Sequence, residues 1–88
     1  MTAYTVEFTA RAAKVLASLP RQTQHRVVEA LGRLSADPRQ APNVKKLAGE
    51  EIYRLRVGEH RVLFKIFDDR LLVLVVRVGH RREVYRRM

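Results

Sequence analysis

The sequence predicts an α+β domain in which a helical hairpin packs on an antiparallel sheet, in the order β-α-α-β-β-β with a short basic C-terminal tail. Three observations carry this. From Ile52 to Tyr85, three strand-like runs follow one another across turns so short that neighbours must lie antiparallel. Before them, two apolar stripes of helical spacing stand on either side of Pro20. Arginine and lysine recur at the strand positions that a core does not use.

Tyr4, Val6 and Phe8 alternate with Thr5 and Glu7, the period of two expected of a strand. Thr9 can cap a helix in which Ala12, Val15, Leu16 and Leu19 fall at i, i+3, i+4 and i+7. Pro20 ends that helix and suits the first turn of the next. The second helix buries Val27, Val28, Leu31 and Leu34, turns Arg26, Glu29 and Arg33 to water, and stops before Pro38. The short link makes the two helices an antiparallel hairpin, and only the sheet offers their stripes an apolar surface. Asp37 to Glu51, with Pro38, Pro42, Asn43 and Gly49, reads as a loop too polar for a strand.

In the first run of the sheet, Tyr53, Leu55 and Val57 share one face while Arg54 and Arg56 share the other. The second run repeats the pattern, with Val62, Phe64 and Ile66 opposed to Arg61, Leu63 and Lys65. Gly58-Glu59 between them suits a type II′ turn, and Asp68-Asp69 after the second run suits a type I′ turn. The third run, Leu71 to Val78, is almost wholly apolar and reads as a central strand covered on both faces, broken at Arg77. One face of this meander is therefore apolar and the other carries Arg54, Arg56, Arg61 and Lys65. Such a face repels itself unless an anion covers it.

Eighty-eight residues make one domain, spanning 1–88, small enough for a bound partner to contribute much of its stability. The formal charge of +9, from 18 Lys and Arg against 9 Asp and Glu, attracts polyanions, of which nucleic acid is the commonest. The absence of cysteine removes disulfides, thiolate chemistry and sulfur-bound zinc, and fits a reducing cytoplasm. The opening MTAYTVEF lacks the pattern of a cleavable signal, and the LLVLVV neighbourhood falls far short of the roughly 20 residues of a membrane span. The expectation is a cytoplasmic protein with no membrane association.

His25, His60 and His80 are scattered, with no carboxylates at metal-ligand spacing, and no glycine-rich phosphate loop or Ser/His/Asp pattern is present. No cofactor is expected. A cationic face edged by titratable groups can still cleave RNA, because the substrate brings its own nucleophile, the 2′-hydroxyl. Arginines suit the crowded phosphorane, since the guanidinium fork matches phosphate oxygens and stays charged. Proton transfer falls more naturally to His80, His60 or Tyr85. Arg54 and Arg56 alternatively only keep an open sheet face soluble, and Lys45 and Lys46 either solvate a connector or, with Lys65, Arg77 and Arg82, contact RNA.

The segments YTVEFTARAAKVLASLP, DP, VKKLAGE, YRLRVGEHRVLFKI and RVGHRREVYRR, in this order and spacing, resemble the RelE/ParE superfamily of toxins from type II toxin-antitoxin systems. The resemblance covers nearly the whole chain and implies the RelE-like fold, a helical hairpin on an antiparallel sheet. Its RelE branch implies a ribosome-dependent mRNA endonuclease that cuts in the A site. The catalytic positions it implies are Arg54 and Arg56, where lysines stand in the best-known member, with Arg61 and Arg81 on the phosphate and leaving group and Tyr85 at the 2′-hydroxyl. His80 resembles the histidines of other RNA-cutting branches. The resemblance also implies a cognate antitoxin and a higher hetero-oligomer with it, beside ribosome and mRNA as partners. Two other readings stand: a ParE-like gyrase inhibitor without RNA cleavage, and a basic RNA- or ribosome-binding module without chemistry.

Overall fold

The computed structural model describes residues 3–47, 49 and 51–85. Five strands form one sheet in the order β1-β5-β4-β3-β2: β1 (Thr5–Phe8), β2 (Val44–Lys46), β3 (Tyr53–Val57), β4 (His60–Phe67) and β5 (Leu72–His80). Helices α1 (Ala10–Ser18) and α2 (Arg21–Leu34) form the hairpin between β1 and β2. Thr9 Oγ1 accepts from the Ala12 N–H at 3.2 Å and starts α1. Leu19 closes that helix, and Pro20, extended at its own backbone, opens α2.

Both helices cover the same face of the sheet. Ala12, Val27, Leu31 and Leu34 meet Leu55, Val62, Phe64, Val73, Val75 and Val78 in one core. The helix stripes and the strand alternation thus close on each other, as the periodicity requires. Val28 is the exception: expected inside, it is 55% exposed, because the stripe of α2 that meets the sheet runs through Val27, Leu31 and Leu34.

Four features of the sheet differ from expectation. The stretch after α2 contains β2, which pairs antiparallel with β3, Val44 opposite Leu55. Pairing with an existing strand, rather than strand propensity, makes Val44-Lys45-Lys46 extended, and its lysines suit an exposed edge. The sheet is mixed, since β1 runs parallel to β5, with Val6 opposite Val73 and Phe8 opposite Val75. Asp68–Arg70 form a short 3-10 helix instead of a two-residue turn, and Leu71 takes the left-handed conformation at φ 48° to enter β5. By contrast, Gly58 at φ 59° and Glu59 link Val57 to its partner His60 as the sequence predicts.

The fourth difference is a bulge. Leu63 pairs with Arg77 but Phe64 pairs with Val75, which leaves Val76 as an extra residue on β5. Before the bulge Val73 and Val75 face the helices; after it Val78 does. Arg77 therefore does not break the strand but lies within it on the open face, where an unbroken alternation would have driven it under the helices. Of the basic tail, the last three residues lie outside the described residues. No described helix is long and apolar enough to cross a membrane.

Candidate active site

Cross-strand register arranges the open face in rows. Lys45, Arg54, Leu63 and Arg77 are successive partners across β2, β3, β4 and β5. The next row towards the hairpin end holds Arg56, Arg61 and Gly79. Leu63 and Val84 are buried but stand outside the helix-side core. Beyond β5, residues 81–85 turn back, with the Glu83 and Val84 N–H groups donating to the His80 carbonyl. This brings Val84 to the bare face of Gly79, where a Cβ would sit 3.6 Å from it. Arg77 Nη1 donates to the Val84 carbonyl at 3.0 Å and ties the turn down.

The same turn delivers Arg81 to the hairpin. Its N–H donates to the Glu59 carbonyl at 2.9 Å, and its Nε meets Glu59 Oε2 at 3.1 Å. Arg56, Arg61 and Arg81 thereby line one shallow depression of about 540 Å³ with Asn43, Gly58 and Glu59. Arg56 donates from Nη2 to Asn43 Oδ1 at 3.2 Å, and Arg61 from Nη1 to the carbonyls of Gly58 and His60. Among the described residues each guanidinium is thus held through one nitrogen, which leaves the rest of each donor fork for a ligand. Three cations against one carboxylate make the depression electropositive and suited to an anion.

The other expected residues fall around it. Arg54 lies one row away, its Nε buried and without a hydrogen-bond partner among the described residues. Lys45 stands beside it, and Lys65 is exposed on the same face opposite Leu74. Lys46 is turned to the other face by alternation and pairs with Glu51 at 3.7 Å. Arg82 is exposed in the C-terminal turn, and Tyr85, 38% exposed, ends it. His80 is the partner of His60, the two rings edge to face at 6.0 Å, and both look towards α1 from the helix side of the sheet. Its Nδ1 accepts from the Arg82 N–H at 3.2 Å, so His80 supports the turn from the face opposite the arginines. Glu59 and Asn43 are site residues that the strand pattern alone does not reveal. Glu59 reads as a turn residue, although the two-residue turn between Val57 and His60 already places it near Arg56 and Arg61.

A second polar cluster occupies the other end of the sheet. Asp68 accepts from both Arg39 Nη atoms at 2.8 Å and from the Tyr4 hydroxyl at 2.7 Å, while Arg39 Nε donates to the Tyr53 hydroxyl at 3.1 Å. The hydrogen bonds from Arg39 and Tyr4 hold the Asp68 carboxyl down at about 2, and the same carboxylate raises the Tyr4 phenol. This network joins the start of β1, the loop after α2, β3 and the turn after β4, and it lies away from the arginines.

Residues 6–85 match the family described as the ParE toxin of type II toxin-antitoxin systems, parDE. The chain belongs to the RelE/ParE superfamily. Among curated relatives of this superfamily, it is 40% identical to Toxin RelG of Mycobacterium tuberculosis over 87 residues, 96% of this chain and 98% of that one. Among solved structures, it superposes on a chain of the RelBE2 toxin-antitoxin complex of the same organism with a TM-score of 0.80 at 37% identity, covering 94% and 97% of the two chains. The isolated E. coli RelE toxin gives a TM-score of 0.79 at 26% identity, covering 89% and 84%. The mixed five-stranded sheet with its helical hairpin is therefore the RelE fold.

Proposed function

We propose that this RelE/ParE toxin is a ribosome-dependent endonuclease that cuts mRNA in the A site and so arrests translation in the cytoplasm. The observation that carries the reading is the convergence of Arg56, Arg61 and Arg81 on one depression of the open face. In the reaction the RNA 2′-hydroxyl attacks the adjacent phosphorus, and no metal need activate a water. Arg61 and Arg81 hold the phosphate and stabilise the charge that grows on its oxygens, with Arg56 and Arg54 behind them. His80, at the end of β5, supports the turn that carries Arg81 by accepting from the Arg82 N–H, and Tyr85 at the end of that turn helps to orient the 2′-hydroxyl. Lys45, Lys65, Arg77 and Arg82 extend the cationic face along the message, and Lys46 adds charge at the sheet edge.

A cognate antitoxin covers the toxin in the producing cell, in a hetero-oligomer like the toxin-antitoxin complex of the M. tuberculosis neighbour. An acidic segment that folds on contact suits this cationic face. The match to the ParE family favours a second reading, inhibition of DNA gyrase without RNA cleavage. Purified toxin added to mRNA-programmed ribosomes, and separately to gyrase with plasmid DNA, decides between them. Breaks within the A-site codon support the nuclease. Intact message together with gyrase-dependent DNA breaks supports the inhibitor.

A further inference from the structure

The nuclease reading leaves one task without a group: removal of the 2′-hydroxyl proton. The described residues lining the depression are Asn43, Arg56, Gly58, Glu59, Arg61 and Arg81. Guanidinium groups stay charged wherever a protein is folded, and an amide side chain does not titrate. The proton must also leave the 2′-oxygen, which lies next to the scissile phosphate on the neighbouring 3′-oxygen, so its acceptor has to sit beside the cations that hold that phosphate. His80 looks from the other side of the sheet, and Tyr85 does not line the depression.

Glu59 meets both conditions. Its side chain is 62% exposed and reaches Arg81 through Oε2 at 3.1 Å, while Oε1 has no partner among the described residues. The backbone bond from the Arg81 N–H to the Glu59 carbonyl fixes the two residues to each other independently of the side chains. Acceptor and phosphate clamp thus form one unit at the hairpin end.

We infer that Glu59 is the proton acceptor for the 2′-hydroxyl, an assignment that rests on the nuclease reading above. Glu59 takes the proton as the 2′-oxygen forms its bond to phosphorus. The bond from phosphorus to the 5′-oxygen breaks, its electron pair leaves on that oxygen, and the oxygen takes a proton from water. Glu59 returns its own proton to water. The products are a 2′,3′-cyclic phosphate and a 5′-hydroxyl, with nothing oxidised or reduced.

The test is single-turnover cleavage of A-site mRNA on programmed ribosomes at saturating toxin for the wild type, Glu59→Gln and Glu59→Asp. Glu59→Gln keeps an acceptor for Arg81 Nε but not a basic one, which separates proton transfer from positioning. The expected result is a rate lower by about a hundredfold or more in Glu59→Gln, with unchanged ribosome affinity. Glu59→Asp should keep part of the rate. A Glu59→Gln enzyme as fast as wild type, or one that loses only ribosome affinity, overturns the assignment while leaving the nuclease reading standing. A wild type that leaves the message whole overturns both.

Discussion

Arg56 on β3 and Arg61 on β4 are direct cross-strand partners, two cations facing each other on an open sheet. Like charges so placed oppose folding by about 0.2–1 kcal/mol. Asn43, Gly58 and His60 supply neutral acceptors that hold each guanidinium without cancelling its charge. An anion bound between them would relieve this repulsion.

Replacing Arg56 by Thr should therefore raise stability by up to about 1 kcal/mol, read as a higher urea midpoint, and lower cleavage. Polyphosphate should stabilise the wild type more than this variant, because the stabilisation by a ligand of the folded state grows with the logarithm of its affinity. A variant destabilised by a similar amount would show that the Arg56 to Asn43 bond matters more than the repulsion.

Binding to single-stranded RNA should weaken linearly with the logarithm of salt concentration. Lys45→Ala and Lys65→Ala should each reduce the slope by about 0.7, one released counterion apiece. Titrations by fluorescence anisotropy at several salt concentrations read this directly. An unchanged slope would remove that lysine from the RNA track.

Asp68 should give stability a pH dependence. Its carboxyl is held at about 2 in the folded protein, below the usual aspartate value of about 4. The stabilisation is therefore complete above about pH 4 and disappears as pH falls towards 2. Melting temperatures measured across that interval should fall in the wild type and change less in Asp68→Asn. Solvent screens this exposed cluster, so the effect should be modest. Equal profiles would show that the network adds nothing to folding.

Phe64 is fully buried and stacks on Tyr53 at 5.7 Å between centroids. Phe64→Ala should cost about 3–5 kcal/mol, a large part of what a domain of 88 residues has to lose. Loss of the cooperative urea transition checks this, and a cost below about 1 kcal/mol would mean the core refills the space.

How far the sequence reaches can be traced through these residues. Thr9, Pro20 and the alternation of β3 and β4 are local signals, read within a few positions, and they locate the helices and the arginine-bearing face. The parallel partnership of β1 with β5 joins residues nearly 70 positions apart, Val6 with Val73, and nothing in either strand marks it. β2 exists because Val44 can pair with Leu55, a tertiary cause. The bulge at Val76 decides which face Arg77 takes, yet an apolar run offers no hint of an extra residue. The pairing of Glu59 with Arg81 is hidden for a related reason, since only the completed sheet brings the two together.

The central claim is that Arg61 and its two neighbours grip the scissile phosphate. Single-turnover cleavage of A-site mRNA by Arg61→Ala, at toxin concentrations that saturate the ribosome, tests it most directly. Loss of one such donor should slow the cut by about 10²- to 10³-fold with the urea midpoint no lower than that of the wild type. Cleavage at the wild-type rate by the folded variant would contradict the account.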